Sequence, residues 1–195
     1  MNGYQGLVLA AGAGERFGGR KLTADWQGRP LVMAAVEAAL GAPVDTVIVV
    51  LGCDASTVAA ALAPLAGPRL QLVVAEGWRD GMAATLRQGV QSLPATSRGF
   101  LLFLGDMPLI PRALPPSVLA HLEAGAPAAQ PFHGGVPAHP VGFSSALYED
   151  LLALTGDRGA AALLRDRPGV IRIEAGDAGA VFDVDHPADL GKVTK

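Results

Sequence analysis

The stretch GLVLAAGAGERFGGRK, residues 6–21, contains the two patterns that decide the predicted fold. Its first five residues form an unbroken apolar run, which is typical of a strand buried on both faces of a parallel sheet. The rest is rich in glycine and positive charge: Gly12, Gly14, Gly18, Gly19, Arg16, Arg20 and Lys21. Because glycine lets backbone N–H groups turn toward an anion, the loop indicates phosphate binding. The same residues would also suit a tight turn with solvated charges.

Three further apolar runs follow, and helical patterns separate the four runs. The runs are 46–52, 70–76 and 99–105, and the helical patterns are 30–40, 54–65 and 81–93. This alternation predicts an α/β fold, a Rossmann-like and mostly parallel mixed sheet with helices on both faces. Since ligands of open α/β sheets bind at the carboxyl ends of the strands, four segments are expected to meet at one site. They are 10–21, 76–82, 105–108 and 183–187.

The second half of the chain is less regular. Residues 127–143 carry four prolines and three glycines, which predicts short strands and loops around a pocket. Beyond them, the patterns predict helices at 144–154 and 158–166, strands at 170–175 and 180–185, and a short helix from Pro187. No linker or repeat divides the chain, so one domain over residues 1–195 is expected.

Composition and charge narrow the function classes. The chain has 195 residues, half of them hydrophobic, and a formal net charge of −3, so no broad basic field and no nucleic-acid partner are expected. Its one cysteine excludes a disulfide within the chain and a cysteine metal cluster. The start has no signal-peptide pattern and the apolar run at 5–13 is too short to span a bilayer. We therefore expect a cytoplasmic protein without a membrane partner.

Two familiar phosphate loops do not match the glycine spacing. A dinucleotide site needs an acidic residue about 20 positions after its glycines, where this chain has Val32 inside a predicted helix. A P-loop needs lysine directly after its last glycine and then a hydroxyl residue. Here Arg20 comes before Lys21, and Leu22 follows. The spacing leaves a phosphate loop of another kind.

Three aspartates are candidate metal ligands. Asp106, in LGDMP, directly follows an apolar strand, and Mg²⁺ takes carboxylate oxygens together with substrate phosphates. Asp183 and Asp185, in FDVDHP, would lie on one face of the predicted strand. The alternatives are a turn aspartate at 106 and a helix cap at 185.

Other motifs have both a binding and a structural interpretation. In GWRDGMAATL (77–86), the free N–H groups around Asp80, Gly81 and Met82 could bind an anion or a base edge, or Asp80 could cap the helix. His139 lies in a proline-flanked loop, and a lone histidine is more often structural. Asp157 could be presented at a helix start or lie in an ordinary turn. The four histidines lack zinc-ligand spacing, and no nucleophile elbow is present.

Six motifs, in this order and spacing, resemble the MobA-like nucleotidyltransferases over roughly residues 5–190. They are LAAGAGERFGGRK, GMAATL, LGDMP, HPVGF, GDRGAAALL and DVDHPADL. The likeness is greatest to the molybdenum cofactor cytidylyltransferases, in which LAAG replaces the LAGG of guanylyl enzymes. Ala11 is the residue concerned, and its methyl group would crowd a purine. The resemblance implies a fold of the nucleotide-diphospho-sugar transferase type.

The resemblance also implies a reaction and a set of site residues. CMP would pass from CTP to the terminal phosphate of a molybdopterin-type cofactor, with Mg²⁺ as the metal and a recipient molybdoenzyme or its chaperone as a possible partner. Arg16, Lys21 and Asp106 would be catalytic, with Asp106, Asp183 and Asp185 toward the metal. Nucleotide binding would fall to Leu9, Ala10, Ala11, Gly12, Gly14, Asp80, Gly81 and Thr85, and acceptor binding to His139 and Asp157.

Two departures and several alternatives accompany this interpretation. Thr85 stands where serine is usual, and His186 replaces the usual threonine, which leaves the role of Asp185 open. A guanylyl or sugar-phosphate nucleotidyltransferase of the same fold would share the loop and Asp106. A redox enzyme lacks its acidic residue here, and a non-catalytic nucleotide-binding partner would not need the charged residues.

Overall fold

The computed structural model describes residues 3–156, 159–165 and 167–192. Within them, an eight-stranded sheet runs in the order β10-β7-β9-β6-β1-β4-β5, with β8 paired to β7, and β2 and β3 form a separate hairpin. The strands are β1 Tyr4–Ala10, β2 Asp25–Trp26, β3 Arg29–Pro30, β4 Thr46–Leu51, β5 Leu70–Val74, β6 Gly99–Leu104, β7 Ala128–His133, β8 Val136–Pro137, β9 Val141–Ser144 and β10 Ile171–Glu174.

Four neighbouring strands, from β6 to the edge strand β5, are parallel, and the antiparallel strand β9 separates them from β7 and β10. β6, β1, β4 and β5 run in the same direction. β9 is antiparallel to both β6 and β7, and β10 is parallel to β7. The predicted mostly parallel mixed sheet is therefore confirmed.

Helices cover both faces of the sheet. They are α1 Leu31–Leu40, α2 Ala55–Leu62, α3 Met82–Gln91, α4 Leu114–Glu123, α5 Tyr148–Leu152 and α6 Ala161–Leu164. β1 shows how the two faces are used. Val8 and Ala10 pack with α1, α2 and α4 in one core, whereas Leu7 and Leu9 pack with α3 and α5 in the other. Because both faces of β1 are covered, every residue of the strand is buried, as its unbroken apolar run predicts.

One predicted strand is wrong, and one helix was not predicted. Residues 180–185 do not join the sheet, because the chain forms a 3₁₀ helix at Ala178–Val181 and then crosses the carboxyl ends of the strands. α4 received no prediction, although its prolines occupy the first turn, where a missing N–H costs no hydrogen bond. Every helix that the structure describes is too short or too polar to cross a bilayer.

Candidate active site

A cavity of about 610 Å³ lies beyond the carboxyl ends of β1 and β6. Three segments enclose it: the glycine-rich loop after β1, the turn that begins α3, and the crossing segment 183–185. Predicted site residues that line it are Leu9, Ala11, Gly12, Gly14, Arg16, Lys21, Gly81, Thr85, Asp106, Asp183 and Asp185. The structure thus brings together most of the residues that the sequence singled out.

Glycine is required where the loop folds back toward the strand end. Gly14 has a φ of 64°, and a Cβ there would lie 2.8 Å from the Cβ of Lys21. Gly18 and Gly19 also have positive φ, at 91° and 92°. A side chain at these positions would be strained, and at 14 it would also clash. The glycines therefore bring Lys21 over the end of β1.

Lys21 lies between two carboxylates of the cavity. Its Nζ is 2.6 Å from Oδ2 of Asp106 and 3.4 Å from Oδ1 of Asp185. Arg16 reaches the same aspartate, with Nη1 2.5 Å from Oδ2 of Asp185. The cations expected at a triphosphate and the carboxylates expected at a metal are therefore paired with each other in the protein alone.

Backbone hydrogen bonds hold the two aspartate segments against each other. The N–H of Gly105 donates to the carbonyl of Leu9, which places Asp106 at the end of β1, and the N–H of Val184 donates to the carbonyl of Asp106 at 3.0 Å. The crossing segment 183–185 thus follows Asp106 without forming a strand.

The last helical turn, Pro187–Gly191, has His186 as its N-cap residue, and Asp189 rather than Asp185 supplies the carboxylate of its capping box. The carboxylate of Asp189 accepts from the N–H groups of Asp185 and His186, at 3.0 and 2.7 Å, and pairs with Lys192 at 2.6 Å. These contacts, the Lys192 ammonium first, lower the pKa of Asp189 to about 2. The carboxylate of Asp185 is therefore free of capping and faces the cavity.

Asp183 is affected by the other two carboxylates of the cavity. Burial raises the pKa of Asp183, the negative charges of Asp185 and Asp106 raise it further, and Lys21 partly offsets them. Hard oxygen donors of this kind suit a divalent cation such as Mg²⁺ or Mn²⁺. Among the described residues, no three His, Cys, Asp or Glu side chains are already grouped around one ion position. In this conformation the Lys21 ammonium supplies the positive charge between Asp106 and Asp185.

The opposite wall of the cavity contains residues that the sequence analysis missed as site residues. Trp78 and Arg79 line it, and the guanidinium of Arg79 lies 4.4 Å from the centre of the Trp78 ring. Ala11 is part of the same wall, because a Cβ on Gly52 would lie within 2.7 Å of both Ala11 and Trp78. The available signal was a tryptophan and an arginine between a predicted strand and a predicted helix, where the structure forms the 3₁₀ helix Trp78–Asp80.

Three predicted site residues do not line the cavity, and a fourth cannot be placed. Ala10 is buried beneath the loop, and Asp80 is exposed and does not cap α3, whose N-cap residue is Gly81. His139 lies below the site, where its Nδ1 is 3.2 Å from the carbonyl of Leu102. Burial lowers the pKa of His139 more than that carbonyl and the charge of Asp106 raise it, which favours a neutral ring. Asp157 falls outside the described residues.

A glycine-rich loop after the first strand of an open α/β sheet, facing acidic residues across a cleft, defines a nucleotide-binding class of fold. The model of the MobA-like NTP transferase domain matches residues 6–171. The chain belongs to this family.

Solved structures agree with this assignment. A crystal structure of the Rv0371c homologue from Mycobacterium sp. strain JC1 is 31% identical, with a TM-score of 0.83, and the match covers 96% of this chain and 93% of the other. Rv0371c of Mycobacterium tuberculosis H37Rv, in a complex with manganese, is 26% identical with a TM-score of 0.74 over 88% and 87%. Molybdopterin-guanine dinucleotide biosynthesis protein A from Archaeoglobus fulgidus, 20% identical with a TM-score of 0.67 over 95% and 94%, shares the fold.

A curated relative matches part of the chain. The bifunctional protein GlmU of Sorangium cellulosum (strain So ce56) is 33% identical over 108 residues, which are 53% of this chain and 23% of that protein. The match therefore spans less than a quarter of the relative's length.

Proposed function

We propose that this protein transfers CMP from CTP to the terminal phosphate of a molybdopterin-type cofactor and releases pyrophosphate. The observation that carries the proposal is the convergence of Lys21, Arg16, Asp106 and Asp185 in one cavity next to Ala11. Membership in the MobA-like family supports a nucleotide triphosphate as the donor. The similarity in fold to the molybdopterin-guanine dinucleotide biosynthesis protein of Archaeoglobus fulgidus supports a molybdopterin acceptor.

The ion pairs suggest how the donor enters. A nucleotide triphosphate and a divalent cation bring opposite charges to a site whose own charges are already paired. Lys21 and Arg16 can leave the carboxylates for phosphate oxygens, while Asp106, Asp183 and Asp185 are the residues that would hold the cation. Because each charge changes partner rather than losing one, the desolvation cost of binding stays small.

The chemistry then requires positioning more than proton transfer. An oxygen of the acceptor's phosphate forms a bond to the α-phosphorus of CTP. The bond between that phosphorus and the oxygen that bridges the α- and β-phosphates breaks. The electron pair leaves with pyrophosphate. A phosphate monoester has its second pKa at about 6, so the attacking oxygen is anionic at neutral pH and needs no general base.

The protein's own groups stabilise the charge that develops. Lys21 and Arg16 would offset charge on the departing pyrophosphate, and backbone N–H groups of the loop around Gly12 and Gly14 would donate to phosphate oxygens. A bound Mg²⁺ or Mn²⁺ would supply further charge neutralisation on triphosphate oxygens. The neutral His139 fits a positioning role on the acceptor side rather than a role as a base at the reacting atoms.

The choice of base rests on the wall formed by Ala11, Gly52 and Trp78. Ala11 and Trp78 line the cavity and pack so closely around Gly52 that no Cβ fits there, so the Ala11 residue has little room to move. Its methyl group would leave less space for a purine than for the smaller cytosine ring. One methyl group is worth about 1–3 kcal/mol of discrimination.

The experiment is pyrophosphate release from each of the four nucleoside triphosphates, with and without molybdenum cofactor. Release with CTP alone, and only when the cofactor is present, is the expected result. Release with GTP would favour the guanylyl alternative, and release with a sugar phosphate as acceptor would favour the sugar-phosphate alternative. No release under any condition would support a non-catalytic nucleotide-binding protein.

A further inference from the structure

A second cavity, of about 320 Å³, lies on the outer part of the sheet and shares no lining residue with the candidate active site. Its floor is formed by Gln130 and Phe132 of β7 and by Arg172 of β10, and its rim by Arg165 and Arg167 after α6. Because β7 and β10 pair with Arg172 opposite Gln130, these side chains belong to one face of the sheet.

The charge of this arginine-lined cavity is not balanced within the described residues. Arg167 is paired with Asp150, with Nη1 2.6 Å from Oδ2. Neither Arg165 nor Arg172 has a carboxylate partner there, and no Asp or Glu belongs to the described lining. Among the residues that the structure describes, two exposed arginines without a carboxylate partner therefore lie at one concave surface.

One of these guanidinium groups is held in place. The guanidinium carbon of Arg172 lies 3.6 Å from the centre of the Phe132 ring, so the cation rests on the aromatic face. A guanidinium fixed in this way loses less side-chain freedom when it binds an anion than a solvated arginine does.

A buried amide completes the floor. Gln130 is only 6% exposed, it lines the cavity, and its side chain has no hydrogen-bond partner among the described residues. Because this side chain lines the cavity, its amide can hydrogen-bond a ligand hydroxyl or carbonyl there.

We propose that this arginine-lined cavity is a second ligand site, which takes a small phosphate monoester with a hydroxylated body. A phosphate monoester carries a charge of about −1.5 to −2 at pH 7, which matches the two unpaired guanidinium groups. The cavity is larger than a bare phosphate needs and lies at the lower end of the range for small-molecule sites, about 300–1,000 Å³. The remaining space, with Gln130 at its floor, accommodates the organic part.

The experiment measures binding of ribose 5-phosphate to the full chain by titration calorimetry at low ionic strength, with uncharged ribose as the control ligand. Saturable binding of the phosphate and none of ribose is expected. Arg165→Gln and Arg172→Gln should each weaken binding by about tenfold, since hydrogen bonds to charged groups are the strong ones. The matched variant Arg112→Gln, an exposed arginine at another surface cavity, should change nothing.

Two further variants keep the result unambiguous. Lys21→Met, in the candidate active site, should leave ribose 5-phosphate binding intact, whereas loss in Lys21→Met with retention in Arg172→Gln would overturn the proposal. Gln130→Leu should weaken ribose 5-phosphate but not inorganic phosphate, and equal affinity for both ligands before and after would refute the role of the amide. Absence of saturable binding to the unaltered chain would also overturn the proposal. Thermal unfolding of each variant separates a binding defect from a folding defect.

Discussion

Lys21 and Arg16 pair with carboxylates of the same cavity, yet the two pairs lie in different surroundings. The Lys21 side chain is 12% exposed and bridges Asp106 and Asp185, whereas the Arg16 side chain is 75% exposed and meets Asp185 alone. Breaking a buried pair costs about 3–5 kcal/mol, because it leaves a charge without compensation. An exposed ion pair contributes about 0–1 kcal/mol to the stability of the fold. The two contacts therefore differ in consequence because Lys21 is less exposed than Arg16 and has two carboxylate partners instead of one.

The largest effect on activity is expected from a change at Asp106, the partner of the less exposed cation Lys21. Asp106→Asn keeps the side-chain size but removes the charge beside Lys21, and turnover should fall by about a thousandfold or more. Pyrophosphate release at saturating nucleotide and metal measures it. The matched variant Asp25→Asn, an exposed aspartate away from the cavity, should retain activity. Near-unchanged release in Asp106→Asn would contradict the assignment.

Replacing each cation separates the two pairs directly. Lys21→Met should lower kcat by about a hundredfold, and Arg16→Gln by about tenfold or less, because the exposed guanidinium competes with water and salt. Arg20→Gln, in the same loop but outside the cavity, serves as the control. Equal losses for Lys21→Met and Arg16→Gln would show that burial does not rank the two residues. Raised ionic strength should weaken the Arg16 contribution more than the Lys21 contribution.

Removing the methyl group of Ala11, in the wall formed with Gly52 and Trp78, should change the nucleotide specificity rather than the rate. Ala11→Gly opens space next to Gly52 and Trp78, so kcat/KM for GTP relative to CTP should rise by about tenfold. Competition between the two nucleotides in one reaction measures the ratio. Ala13→Gly, which removes a methyl group elsewhere in the cavity lining, should leave the ratio unchanged. An unaltered ratio in Ala11→Gly would place base selection elsewhere.

The smallest effect concerns stability in acid. The pKa of Asp189 is about 2 in the folded protein and near the ordinary 3.8 when unfolded, so its contribution is complete above about pH 4. That contribution is lost as the pH falls from about 4 to about 2. Asp189→Asn should therefore unfold more readily at pH 5 and show a shallower loss of stability in acid. Urea unfolding at stepped pH measures both. If the free energy of unfolding of Asp189→Asn fell with decreasing pH as steeply as that of the unaltered chain, this prediction would be wrong.

Local pattern predicted the parallel half of the sheet well. The four apolar runs became β1, β4, β5 and β6. Strands β1, β4 and β6 are covered on both faces and need apolar residues at nearly every position, whereas β5 lies at the edge of the sheet and leaves Leu72 and Val74 exposed. The glycine-rich loop and Asp106 then fell at one edge, because parallel strands all end on the same side. Both results follow from the geometry of parallel sheets, so they can be predicted from the sequence without knowing which strands pair.

The strand predicted at residues 180–185 is wrong for a different reason. Phe182 packs on Trp26 with ring centres 5.9 Å apart, and Val184 is fully buried with Trp26 and Leu31. The alternation of apolar and acidic residues is real, but it reflects packing against the β2–β3 hairpin and α1 rather than a place in the sheet. Alternation reports which face is buried, and it does not identify what covers that face.

By itself, the sequence determined the class of fold, the phosphate-type loop and the carboxylate after β6, because each depends on residues that are neighbours in the chain. Only the tertiary structure decided that Lys21 lies between Asp106 and Asp185, that Asp189 rather than Asp185 supplies the capping-box carboxylate, and that Trp78 stands beside Ala11. The same holds for the arginine-lined cavity, whose members come from β7, β10 and the turn after α6. Contacts between residues far apart in the chain depend on packing, which local propensity and spacing do not encode.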